Sequence, residues 1–127
     1  MNDHTAFALL PFAGRTFEVR YGETMTALNI YAADGQTMRY QVTAGPFKGA
    51  TAEVRYQAEQ IGPGLYALSW QEADKGTVVH VDDFECGHSR SYYTTAGHEF
   101  VRMAGTLREK KATTPTPPPP APSSSAR

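Results

Sequence analysis

The stretch Gly64–Phe84, GLYALSWQEADKGTVVHVDDF, decides the fold. Two runs of alternating side chains flank Ala73-Asp74-Lys75, a polar link with turn chemistry. In the first run Tyr66, Leu68, Trp70 and Glu72 share one face, and Leu65, Ala67, Ser69 and Gln71 the other. In the second, Val79, Val81 and Asp83 oppose Val78, His80, Asp82 and Phe84. A period of two in runs rich in Val, Tyr and Trp reads as a β-hairpin and not as a helix.

The same signal repeats outward from this hairpin, between Arg15 and Leu107. TFEVRY (16–21) sets Phe17, Val19 and Tyr21 against Thr16, Glu18 and Arg20. MTALNIYA (25–32) and TMRYQVTAG (37–45) flank Asp34-Gly35, a hairpin signal. ATAEVRYQAEQI (50–61) reads as one long strand, with Ala52, Val54, Tyr56 and Ala58 on one side. HSRSYYTT (88–95) and HEFVRMAGTL (98–107) complete the series. The expectation is eight strands, each joined to the next by a link too short for a parallel crossover. An eight-stranded antiparallel meander closes into an up-and-down barrel that holds packed side chains or one small ligand. The fold class is therefore all-β, with a short helix expected over HTAFALLPF (4–12) to plug one end. Residues 1–112 are assigned to the barrel domain and 113–127, TTPTPPPPAPSSSAR, to a disordered Pro/Ser-rich tail without apolar periodicity.

Composition narrows the function classes. Through Leu107 there are eight Lys and Arg against twelve Asp and Glu, a net charge of −4. An acidic domain without a basic stripe is a poor match for a phosphate backbone, so no nucleic-acid partner is expected. No run approaches the length of an apolar membrane span, and the acidic start at Asp3 argues against a cleaved signal; the expected compartment is the cytoplasm. Cys86 is the only cysteine, which rules out an intrachain disulfide or a multi-cysteine metal site. No metal and no cofactor is expected, and no phosphate-cradling glycine loop or nucleophile elbow is present.

Candidate site residues follow from inward alternation. Trp70 offers a planar stacking surface, and Glu72, one step nearer the barrel mouth, is a carboxylate in a partly apolar setting that suits an acid or base. Tyr21, Tyr40, Tyr56, Tyr92 and Tyr93 fall on different strands and supply ring faces and hydroxyls to a common cavity. His80 and Asp82 share a face: turned outward they are surface groups, the reading that a wet barrel exterior favours, and turned inward they form a base and its orienter. Arg102 either pairs Glu72 from inside or points to solvent while Val101 and Met103 fill the core.

The segment GLYALSWQE, with GTVVHVDDF, SYYTT and the final Phe100…Gly105 spacing, resembles the calycin-type, lipocalin-like barrel of MoaF-like proteins, the family named for molybdenum cofactor biosynthesis protein F. That resemblance covers most of Gly14–Leu107 and implies a barrel with a central pocket. A more distant likeness to bacterial phenolic acid decarboxylases rests on Gly14-Arg15-Thr16-Phe17 and on Gly64–Glu72. It breaks where their catalysis resides. Val19 stands where the first residue of a Tyr-x-Tyr pair is expected, Gln41 where an arginine is, and Pro63 where a glutamate is. The leading expectation is a small-molecule-binding barrel for a planar organic ligand. The alternatives are a cofactor-independent lyase or isomerase that moves a proton with Glu72 and the tyrosines or His80, and a protein-interaction module; a homodimer is left open.

Overall fold

The computed structural model describes residues 10–111. Within them the chain forms nine strands and no helix: β1 (Thr16–Tyr21), β2 (Met25–Tyr31), β3 (Thr37–Ala44), β4 (Thr51–Arg55), β5 (Gln57–Gly62), β6 (Leu65–Gln71), β7 (Thr77–Asp83), β8 (His88–Thr94) and β9 (Phe100–Glu109). They build one antiparallel sheet in the order β4-β3-β2-β1-β9-β8-β7-β6-β5. β9 is long enough to pair β8 through Phe100–Thr106 and β1 through Thr106–Glu109, which joins the two ends of the meander.

Nine strands replace the expected eight because ATAEVRYQAEQI bends at Tyr56. β4 pairs β3, whereas β5 pairs β6. At the corner the Tyr56 N–H donates to Gln36 O at 3.0 Å instead of to a strand neighbour. The inward alternation nevertheless continues through the bend, with Val54 and Tyr56 buried and Ala52 and Ala58 half-buried. The nearly closed barrel is thus shut by one covalently continuous bent strand, not by a β4–β5 ladder.

The helix expected over residues 4–12 is not what plugs the barrel. Residues 1–9 lie outside the described residues, and the segment Pro11–Gly14 is a turn. Phe12 does the plugging. Its ring is fully buried, stacks on Phe84 at 4.8 Å, and meets Tyr31 at 4.7 Å, Tyr66 at 5.3 Å and Tyr56 at 6.0 Å. Aromatic pairs of this kind contribute about 0.5–1.5 kcal/mol each beyond the area they bury. The tail expected over 113–127 also lies outside the described residues.

The hairpin register sets depth inside the barrel. Trp70 faces Val78, Leu68 faces His80 and Tyr66 faces Asp82 across β6 and β7. Because Tyr66 touches Phe12, Asp82 is nearest the plugged end, His80 lies one layer above it, and Trp70 with Glu72 approaches the mouth.

Candidate functional site

Above the aromatic plug the barrel keeps a cavity of about 280 Å³, open at one end. Its wall comes from seven of the nine strands, all but β4 and β5, and from the loop after β3. Val19, Ala27, Val42, Val78 and Met103 give it an apolar body, and Phe47 leans over it from the loop. Of the polar wall groups, Tyr40 and Trp70 commit their protons to the carboxylate of Glu72.

At the level of the mouth, both oxygens of Glu72 are engaged. The Tyr40 hydroxyl donates to Oε1 at 2.6 Å, and the Trp70 indole N–H donates to Oε2 at 2.7 Å. The indole plane is thereby fixed as a wall of the cavity. Burial, and next the bond to Glu72, raise the Tyr40 phenol above the ordinary tyrosine range, so Tyr40 stays a neutral donor.

Deeper in, a second carboxylate organises the floor. Asp82 is fully buried, and its Oδ1 accepts from the Ser89 hydroxyl at 2.6 Å. Ser89 has one hydroxyl proton and gives it to Asp82, so the 2.7 Å contact between Tyr21 and Ser89 has Tyr21 as donor. Burial, followed by the charge of Asp82, raises the Tyr21 phenol. Asp82 Oδ2 lies 3.5 Å from His80 Nδ1. Both atoms are sealed from solvent and neither has another partner, so an Nδ1–H directed at Asp82 is the arrangement that satisfies both. That tautomer leaves Nε2 as an acceptor on the cavity side. The imidazole is held between Trp70, with ring centres 4.9 Å apart, and Tyr21, edge-on at 6.3 Å.

The family model described as MoaF-like matches residues 13–108. The chain belongs to the MoaF-like family. A crystal structure described as a "putative beta-lactamase" from Burkholderia vietnamiensis is similar to it, with 52% identity over 80% of this chain and 97% of that one and a TM-score of 0.78. No curated protein matches the sequence.

In this MoaF-like barrel Tyr21, Tyr40, Trp70, Glu72 and His80 all line the cavity. His80 and Asp82 face inward, contrary to the surface reading that the wet exterior favoured, because Val78, paired with the inward Trp70, fixes the facing of the whole strand. Asp82 reaches the cavity only through its neighbours. Tyr56 packs in the aromatic plug and lies outside the cavity wall. Tyr92 and Arg102 are on the barrel exterior: the ring of Phe100 stacks on Tyr92 at 6.4 Å, with Arg102 over it at 4.9 Å. Tyr93 takes the inward place instead, and Val101 and Met103 face in beside it. Cys86 is exposed, and the charge of Asp83 raises its thiol, which makes it a poor nucleophile.

Sequence reasoning missed Ser89, Ser91, Asn29 and Phe47. The period-two spacing of Ser89, Ser91 and Tyr93 carries the signal for the first two, as does the placement of Asn29 between inward Ala27 and Tyr31. Phe47 has no such signal, since it belongs to a loop. Among the described residues no cluster of three His, Cys, Asp or Glu side chains converges, and no helix is long and apolar enough to cross a membrane.

Proposed function

We propose that this MoaF-like barrel binds a small planar organic molecule in its open cavity. The observation that supports this reading is the fixed indole wall: an apolar, open-mouthed space of about 280 Å³ whose only tryptophan is oriented by a carboxylate at the same level. Cavities with an apolar body and a few oriented polar groups are the usual form of a small-molecule site. The name attached to the Burkholderia structure suggests lactam hydrolysis. No lysine shares the wall with Ser91, but His80 is its direct cross-strand partner there, so a serine activated by a base belongs with the second reading.

A second reading, proton transfer without a cofactor, is favoured by the inward His80 beside Asp82. One experiment separates the two. Trp70 emission is titrated with planar phenols, pterins and aryl amines, and every compound that quenches it saturably is then incubated with the protein and followed for turnover. The binding reading expects saturable quenching without product; silence from the whole panel would sink it. Turnover that drops by about a hundredfold in Glu72→Gln or His80→Asn would instead favour the enzyme.

A further inference from the structure

The polar groups of the cavity have a common bias. Tyr40 and Trp70 spend their protons on Glu72, and Tyr21 spends its proton on Ser89 and through it on Asp82. His80 directs Nδ1 at Asp82, and its neutral ring presents Nε2 as an acceptor. The Asn29 amide nitrogen, the one fixed donor left, is sealed from solvent. Among the wall residues only the Ser91 and Tyr93 hydroxyls are free to donate.

Charge points the same way. Glu72 lines the cavity and Asp82 lies beneath it, and no lysine or arginine is in the wall. Lys48 and Lys75, in the flanking loops, are exposed and outside it, while the charge of Asp74 is felt at both Tyr40 and Tyr93. Glu72 has used one lone-pair site on each oxygen and keeps others for a ligand. The faces of Trp70, Tyr40 and Tyr93 add the negative quadrupole that attracts a cation. An anionic ligand would give up its hydration here for no countercharge.

We infer that the ligand is an organic cation, an arylalkyl amine or amidine that places its ammonium or amidinium group against Glu72 and its ring in the apolar body of the cavity. This rests on the reading of the cavity as a ligand site and narrows the chemical class that enters it. It also separates the chain from a carboxylate-binding barrel, since Gln41, at the place where the decarboxylases carry arginine, is exposed.

The test uses three probes of like ring and reach: 2-phenylethylamine, 2-phenylethanol and 3-phenylpropionate. Each is titrated against the full chain, with Trp70 emission and the thermal midpoint as independent readouts. The amine is expected to bind at least about tenfold more tightly than the alcohol, a difference of about 1.4 kcal/mol, with the carboxylate weakest. Glu72→Gln should bring the amine down to the affinity of the alcohol. Equal binding of the three, or preference for the carboxylate, overturns the inference and leaves the planar-ligand reading standing. Failure of the amine to bind also overturns it, whereas the planar-ligand reading falls only with silence across the wider panel. Should Glu72→Gln unfold, the ranking of the three probes on the native chain decides alone.

Discussion

Gly105 stands where β9 passes from its pairing with β8 to its pairing with β1, opposite Ser89. A Cβ built there would lie 1.9 Å from the Arg20 carbonyl oxygen and 2.9 Å from the Tyr21 Cα. Those are backbone atoms of a central strand, so they cannot swing aside as a long side chain would. The Phe100…Gly105 spacing thus has a physical cause: the closing strand must touch β1 backbone to backbone at the level of Tyr21. Gly105→Ala should destabilise the barrel by roughly 3 kcal/mol, the upper part of the range for overpacking. Urea unfolding checks it, through a lower midpoint at an unchanged slope. An alanine variant as stable as the native chain would mean that β1 and β9 can separate without cost. The change should also disturb the cavity floor, because Tyr21 and Ser89 are the residues on either side of the contact.

At the scale of elements, alternation told which residues share a face far better than which face is inside. In β7 the set Val79 and Val81 is the more apolar, so composition alone turns Val78, His80 and Asp82 outward, and a one-residue slip exchanges the two sets. The decision comes from the β6–β7 turn: the Glu72 N–H donates to Gly76 O at 2.7 Å, pairing Gln71 with Thr77 and hence inward Trp70 with Val78. In β8 the adjacent Tyr92 and Tyr93 differ in the same way, as do Arg102 and Met103 in β9. The bend at Tyr56 was illegible for another reason, since local alternation does not record which strand lies alongside. Loops carry still less signal. Gly45 and Gly49, with φ of 103° and 98°, shape the β3–β4 loop, and Gly45 allows close approach to the Thr24 carbonyl. That loop holds Phe47 over the cavity, 69% exposed. Since so exposed a ring adds little to folding, Phe47→Ala should leave the unfolding midpoint nearly unchanged. It should speed release of bound 2-phenylethylamine by roughly tenfold, the size of effect expected when a partly desolvating wall is removed. Stopped-flow Trp70 fluorescence reads this, and an unchanged off-rate would mean that Phe47 does not cover the ligand.

Taken whole, the barrel is a device for burying phenols next to carboxylates. Burial raises Tyr31 well above the ordinary range, with Asp82 adding to it, and burial raises Tyr56 to about 12; Tyr21 and Tyr40 move the same way. In the unfolded chain these groups release their protons near pH 10. Between that pH and the folded values the native state holds more protons than the unfolded one, so stability falls as pH rises. The stabilising contribution is complete below about pH 10 and is lost through the window up to about 12 and beyond. The expected result is that phenolate absorbance from the buried tyrosines rises in one cooperative step that coincides with loss of the β-sheet circular dichroism. The chain in guanidinium should titrate smoothly near pH 10 instead. Smooth ionisation of all seven tyrosines in that range with the β signal intact would contradict the burial on which the cavity floor depends. On the acid side, the carboxylates held below their ordinary range, Asp34, Asp83 and Glu109, lie in a turn and at strand ends. Alkaline unfolding, by contrast, is driven by phenols inside the barrel, and so reports on its interior.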